Sequence, residues 1–401
     1  MTTTVHEPAT TPELVTPGTA TALLDEYRPA TDRLIATPHQ TFLGHGTLAE
    51  LPHSTAPLTT RVQDLLDEAR RRTGERRPMV LGAIPFAPGA PPALAVPERV
   101  RTAPALKSDP LIALPVPVAG NAADWQVREI PAPEEYSAAV ATAVARMRAG
   151  EFDKVVLART LELTAPHAPD LPTMLRRLAR RDPSGYTFAV PTAPGRTLIG
   201  ASPELLVARR GPRLTANPLA GSAPRSADLA EDVRRAAALL ESPKDLHEHA
   251  VVVAAVREAL APFCRTIDVP ERPTLVRTAA MWHLSTTVTG ELADPDGTTA
   301  LDLACALHPT PAVCGTPTDL ARQVIAESEP FDRGAYTGMV GWQNADGDGD
   351  WVVTIRCAEA EGNRLRLFAG AGVVAASSPE AETAETGAKF RTFLNAVGAA
   401  L

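Results

Sequence analysis

Only four of the 39 basic residues are lysines: Lys107, Lys154, Lys244 and Lys389. In a chain that carries its bulk positive charge on arginine, each lysine invites a chemical question. A guanidinium stays protonated at any working pH, whereas a desolvated ammonium can lose its proton and serve as a base. Lys154 is the strongest candidate. It opens the β-branched stretch Lys154-Val155-Val156-Leu157, which reads as a buried strand, where burial would lower an ammonium's pKa. A lysine snorkelling from a strand edge is the alternative reading of the same segment.

The C-terminal stretch Leu365 to Lys389 reads as a strand, a glycine-rich turn and a helix. Gly370-Ala371-Gly372-Val373-Val374-Ala375 has the form of a dinucleotide fingerprint. Only 26 residues follow Ala375, too few for the rest of such a unit, so what remains is backbone N–H groups able to approach an anion. Ser377-Ser378-Pro379-Glu380 reads as a capping box. Glu382, Glu385 and Lys389 then share one helix face; two carboxylates three apart suit either part of a hard-metal site or a solvated helix start.

Two motifs are decoys. His247-Glu248-His249 cannot chelate zinc through both histidines, because residues two apart on a helix do not share a face, which leaves Glu248 free to point inward alone. Asp346-Gly347-Asp348-Gly349-Asp350 resembles the head of a calcium loop but has Cys357 where a bidentate glutamate is needed, so it reads as a hairpin turn. Three further polar residues stand in apolar company: Glu204, His283 and Arg356. A carboxyl between strands can act as a general acid, and an arginine inside the strand Trp351–Cys357 can clamp a carboxylate.

These residues must be positioned by strands predicted at Val155–Arg159, Tyr186–Val190, Thr197–Ile199, Leu205–Ala208, Trp351–Cys357 and Leu365–Phe368. Helices are predicted at 133–150, 171–181, 228–241, 244–260, 298–307, 318–327 and 379–398. Residues 1–30 read as a flexible segment, Leu51–Arg72 as mainly helical, Pro78–Phe86 as a strand, and 87–132 as a proline-rich connection. Hairpin-like runs of strands and blocks of helices, without regular βαβ alternation, predict α+β with large antiparallel sheets.

A net charge of −8 without a lysine-rich run argues against nucleic acid or an anionic membrane as partner. No apolar run is long enough to span a bilayer. Met1–Ala20 has neither the basic start nor the apolar core of a signal peptide, and Cys264, Cys305, Cys314 and Cys357 are scattered as free thiols of a reducing cytoplasm would be.

Taken together the motifs resemble those of the chorismate-utilising enzymes, and most closely the isochorismate synthases of catechol-siderophore pathways, the enterobactin and bacillibactin type. The likeness runs from about residue 78 to the end. It is carried by Gly82-Ala83-Ile84-Pro85-Phe86, Asp153-Lys154-Val155-Val156-Leu157, Gly200-Ala201-Ser202-Pro203-Glu204-Leu205-Leu206 and Pro218-Leu219-Ala220-Gly221-Ser222. Lys244-Asp245-Leu246-His247-Glu248-His249, His308-Pro309-Thr310-Pro311-Ala312, Glu329-Pro330-Phe331-Asp332-Arg333, Thr354-Ile355-Arg356-Cys357 and Glu385-Thr386-Gly387-Ala388-Lys389 add to it. The resemblance implies one catalytic domain over 31–401, two large antiparallel sheets packed face to face with helices outside. It implies Lys154 as the base that activates water for attack at C2 of chorismate, and Glu204 as the acid that protonates the departing C4 hydroxyl. Glu248 and Glu385 would bind Mg²⁺, with Glu382 holding metal-bound water. Arg356, Lys389, Gly221, Ser222, Gly370, Ala312 and His283 would surround the substrate.

Subfamily rests on a few positions. Ala220 stands where covalent aminodeoxychorismate synthases carry a nucleophilic lysine, and Lys154 favours water over the ammonia of anthranilate synthases, so no glutaminase subunit is expected. Salicylate synthases, which add pyruvate elimination, are the nearest enzymatic alternative; a non-catalytic chorismate-binding relative is the other. Proline at 243 and alanine at 250 depart from the acids common in close relatives. The likeness favours a monomer.

Overall fold

A computed structural model of the chain describes residues 18–116 and 125–397. Its strands pair antiparallel throughout the described ladders. The first sheet, of ten strands, runs Gly315–Thr316, Lys154–Thr164, Arg364–Val374, Cys357–Glu361, Arg196–Ser202, Tyr186–Ala193, Arg33–Ala36, Gln40–His45, Arg99–Pro104, with Gln126–Ile130 also paired to Lys154–Thr164. The second, of nine, runs Cys264–Asp268, Val288–Leu292, Arg213–Asn217, Leu205–Arg210, Gly349–Val353, Met339–Asn344, Met79–Ile84, Ala93–Val96, Ala49–Glu50. A three-stranded sheet of Leu219–Pro224, Met281–Ser285 and Thr274–Arg277 stands beside them.

The predicted sandwich is borne out. Ile35, Phe42, Phe188, Val190, Leu198 and Phe368 from the first sheet interdigitate with Leu81, Val340, Trp342 and Val352 from the second in one buried cluster. Alternation along each strand leaves a second apolar face on each sheet, which needs cover. The Leu171–Arg181 and Pro379–Val397 helices cover the first sheet through Met174, Leu175, Leu178, Phe390 and Phe393. The Leu58–Thr73, Pro243–Leu260 and Ala300–Leu307 helices cover the second through Val62, Leu66, Val256, Leu260 and Leu303.

Four expectations need correction. The segment 1–30 was expected to be flexible throughout, yet Thr19–Glu26 is a helix whose Ala20, Leu23 and Leu24 are buried in the first sheet's outer core. Its backbone N–H groups at Gly18, Ala20 and Thr21 donate to the Asp109 carboxylate, an anion at a helix start. Residues 1–17 of that segment lie outside the described residues. The supposed connection 87–132 contributes Ala93–Val96, Arg99–Pro104 and Gln126–Ile130 to the sheets, since short edge strands leave little periodicity to read; 117–124 lie outside the described residues.

The other two corrections concern the site. The expected strand Trp351–Cys357 is two strands, Gly349–Val353 in the second sheet and Cys357–Glu361 in the first, and Arg356 lies in the crossing between them at φ 53, not inside a strand. Gly370 and Gly372 are not in a turn: the strand runs unbroken over Arg364–Val374, in register with Lys154–Thr164 along eleven residue pairs. Glycine here supplies space inside a strand, which in sequence has the look of turn chemistry.

Leu23 is 1% exposed, so Leu23→Ala should cost about 2–5 kcal/mol in urea unfolding. A change below about 0.5 kcal/mol would mark the segment as loosely attached.

Candidate active site

Two places where the chain passes from one sheet to the other are hydrogen-bonded together. Between Arg196–Ser202 and Leu205–Arg210 lies Glu204, whose carbonyl accepts from Val353 N–H at 3.1 Å; between Gly349–Val353 and Cys357–Glu361 lies Arg356, whose carbonyl accepts from Ala201 N–H at 3.1 Å. The mutual bonds set the acid and the guanidinium in one fixed relation. Arg356 holds a left-handed conformation that costs a non-glycine residue energy and is kept only where surroundings enforce it.

Around this junction opens a cleft of about 870 Å³. It is lined by Glu204, Gly221, Ser222, Glu248, His283, Ala312, Arg356, Gly370, Glu382, Glu385 and Lys389, so every predicted site residue but one faces a common space. The exception is Lys154, which is buried at the start of its strand beside Gly372 and reaches the cleft through Glu248, to which its Nζ donates at 2.8 Å. Gly372 permits this approach: a Cβ there would stand 2.6 Å from Glu248 Oε1 and 3.3 Å from Lys154 Cε. Gly221, at φ 79, lets its own strand pass close to Asp245 of the Pro243–Leu260 helix.

The cleft's charges come in pairs. Lys389 Nζ lies 2.7 Å from Glu385 and donates to the Gly370 carbonyl at 2.7 Å; Lys244 Nζ lies 3.2 Å from Glu382. Burial pushes Glu385 up, but Lys389 overcomes it and holds that carboxyl below its usual range. Glu382 stays above its usual range through burial and the nearby Glu385, against the pull of Lys244. Glu204 has no lysine at salt-bridge distance among the described residues. Burial pushes it up to about 7, against the Leu219 backbone N–H it accepts and the fields of Lys154 and Arg356. His283 is held well below its ordinary value by burial and by Arg356 and Lys389, so its imidazole is neutral, with Nε2 buried and unpartnered. Arg356 Nη1 is likewise buried without a partner, a donor turned to no protein acceptor.

Among the described residues no three His, Cys, Asp or Glu side chains gather closely enough to hold a metal as they stand. The donor chemistry of Glu248, Glu382 and Glu385 nevertheless fits a hard cation such as Mg²⁺, which keeps several waters and needs only one or two carboxylates. Each carboxylate is held by a lysine, so a cation would enter by exchange with an ammonium.

The decoys resolve as read. His249 turns away from Glu248, contacting the Ala220 carbonyl at 3.2 Å and Thr286 Oγ1 at 2.7 Å, and the Asp346–Asp350 run begins in the hairpin turn between Met339–Asn344 and Gly349–Val353 and continues into the second of those strands. Lys244 and Asp245 line the cleft although neither was assigned a role. The signal for Lys244 was the scarcity of lysine itself: three of the four lysines converge on this site. Tyr336 and Phe368, stacked at 4.9 Å, also line the cleft, and nothing local in sequence paired them.

Residues 115–398 match the family model described as chorismate binding enzyme, and the chain belongs to that family. Relatives that it resembles over nearly full length include isochorismate synthases. It is 50% identical over 396 residues to isochorismate synthase DhbC of Bacillus subtilis (strain 168), covering 96% of this chain and 98% of that one. To the vibriobactin-specific isochorismate synthase of Vibrio cholerae serotype O1 it is 41% identical over 378 residues, 94% of each. The crystal structure of DhbC from Bacillus anthracis superposes with a TM-score of 0.88 at 46% identity, over 95% of this chain and 100% of that one. The resemblance read from the motifs is thereby borne out.

A carboxyl raised in the folded state keeps a proton there, between about pH 4.5 and 7, that the unfolded chain has already lost. The fold therefore loses stability as pH rises through that window, and the loss is complete above it. Glu204→Gln removes the effect. Relative to wild type it should gain up to ~3 kcal/mol in urea unfolding at about pH 8 over about pH 5. An equal offset at both would show a carboxyl of ordinary acidity.

Proposed function

We propose that the chain is an isochorismate synthase, converting chorismate to isochorismate, reversibly and with Mg²⁺, in supply of a catechol siderophore. The observation that carries the reaction is the unequal treatment of the cleft's carboxyls: three are held by lysines, while Glu204, fully buried with no lysine at salt-bridge distance, is pushed up to about 7 and is protonated below it. A general acid needs that state. The siderophore assignment rests on the relatives, whose names include a vibriobactin-specific enzyme.

In this reading Arg356, with its free Nη1, and Lys389 hold the substrate's two carboxylates, joined by the Ser222 hydroxyl and the backbone at Gly221 and Gly370. Lys154 accepts a proton from water as its oxygen bonds to C2. The ring double bonds shift, and the C4–O bond breaks as Glu204 protonates the leaving hydroxyl, which departs as water. Glu248, at hydrogen-bond distance from Lys154, orients the amine; by exchange with solvent Lys154 sheds the proton it gained and Glu204 regains the one it gave up before the next cycle. Magnesium on Glu248 and Glu385, with Glu382 behind, would supply positive charge against a substrate carboxylate and the charge developing in the ring. Neutral His283 leaves the cleft's cations to the substrate. No helix of the described residues is long and apolar enough to cross a membrane.

Chromatography of the products formed from chorismate by the purified chain, with and without Mg²⁺, tests the reading. Isochorismate is expected with the metal, and Lys154→Ala should lower its formation by about 100-fold or more. Salicylate with pyruvate as main products, or unchanged chorismate, would overturn it. Because the acid must carry its proton, kcat should decline above about pH 7, where Glu204 ionises. Gly372→Ala, which drives a methyl group into the Lys154–Glu248 contact, should lower kcat by roughly 100-fold with the protein still folded. A variant as active as wild type would mean that this contact is not needed.

A further inference from the structure

Behind Arg356 lies a second cleft, of about 490 Å³. Leu178, Ala280, Met281 and Phe393 line it together with Arg181 and Arg356, and Pro203, next to the proposed acid, borders both clefts. Its character is apolar apart from the guanidinium groups and Asp182. Arg181 ends the Leu171–Arg181 helix half-buried, and its Nε is buried without a hydrogen-bond partner. Burial lowers its pKa and no acidic neighbour offsets the effect. On the same helix Arg176 has a carboxylate, pairing with Asp25 at 3.0 Å. The adjacent Asp182 is no substitute. Burial raises its pKa, and its carboxyl accepts the backbone N–H groups of Ser184 and Gly185.

A half-buried cation without a counter-ion is costly, and a cleft that presents it beside apolar side chains offers both halves of a binding site. An anion would relieve the charge, and an apolar body would fill the space against Leu178, Met281 and Phe393. With Arg356 committed to the first cleft in the proposed reaction, Arg181 is the cation left for a ligand here, and beside Leu178, Met281 and Phe393 it suits a ring bearing one carboxylate better than a dianion.

We propose that this second cleft binds a small aromatic carboxylate, with its anionic end at Arg181 and its ring against Leu178, Met281 and Phe393, and that occupancy weakens substrate binding through Arg356. The second half rests on the proposed reaction, in which Arg356 holds a substrate carboxylate. An anion behind that guanidinium draws on the same positive charge, and the coupling is reciprocal: substrate weakens the effector equally. An aromatic carboxylate is also the chemical class formed when a cyclohexadiene carboxylate such as isochorismate is carried on to an arene, so a later product of the sequence could act back on this step.

Calorimetric titration of benzoate into the full-length wild-type protein and three variants tests it. Binding to wild type is expected with Kd on the order of 0.1–1 mM. Arg181→Gln, which removes the unmatched cation, and Ala280→Leu, which fills the cleft, should each weaken it at least about tenfold, whereas Lys389→Gln, in the substrate cleft, should change it less than about twofold. Arg181→Lys, which keeps the charge, should restore most of the affinity, and unchanged thermal melting separates lost binding from lost folding. Benzoate should also raise the apparent KM for chorismate in wild type and not in Arg181→Gln. No binding to wild type up to about 10 mM, or an affinity sensitive to Lys389→Gln and indifferent to Arg181→Gln, would overturn the proposal. Benzoate binding of the expected pattern in a protein that leaves chorismate unchanged would uphold the cleft and fail the reaction instead.

Discussion

Charge neutrality inside a desolvated cleft is the constraint on which the site depends. Glu204, Asp245, Glu248, Glu382 and Glu385 share one space with Lys244, Lys389 and Arg356, and Lys154 lies behind Glu248. Buried charges are tolerated when paired and strongly disfavoured when not. Three carboxylates therefore take three lysines, Asp245 takes the Ser242 hydroxyl, and Glu204, without a lysine at salt-bridge distance, resolves its cost by holding a proton. The acidity of Glu204 is thus a property of the whole set of partners, since adding or removing one lysine would redistribute it.

The backbone makes that pairing possible at fixed distances. Adjacent crossings between the two sheets bind Glu204 and Arg356 into one unit, while the long ladder between Lys154–Thr164 and Arg364–Val374 sets Lys154 beside Gly372 and under Glu248. A further buried ion pair braces the same strand. Arg333 joins Glu329 and donates to the carbonyls of Val156 and Val313, and Glu329 accepts the Ala158 N–H, so the strand of the proposed base and the segment carrying Ala312 are held by one guanidinium. Helices bring the remaining carboxylates: Glu248 from Pro243–Leu260, Glu382 and Glu385 from Pro379–Val397.

Much of this was legible. Glu382, Glu385 and Lys389 share a face because helical spacing requires it; the order of strand and helix patterns was enough to predict α+β with large antiparallel sheets, and the resemblance implied their face-to-face packing with helices outside. The misreadings have a common cause. Gly370 and Gly372 look like a turn because glycine's permissiveness is visible in sequence, whereas the need for empty space beside a partner lysine and glutamate is not. Arg356 sits in an apolar run that alternates as one strand would, and nothing local marks the residue at which that run changes sheets. Lys244 was conspicuous by rarity alone, its partner Glu382 lying 138 positions away.

From its residues the chain carries an inventory that needs no fold to be recognised: scarce lysines, helix-spaced carboxylates, lone polar groups in apolar strands, and an order of motifs that few families share. Tertiary structure assigned the states. It put Lys154 behind Glu248 and away from the open cleft, turned His249 into a brace, left Arg356 Nη1 and His283 Nε2 without protein partners, and withheld a cation from Glu204. The division has a physical origin. Residue type and spacing follow from covalent structure and local helix or strand geometry, whereas protonation and pairing depend on which charges meet across long sequence separations in a low-dielectric space, which exists only once the sheets have closed.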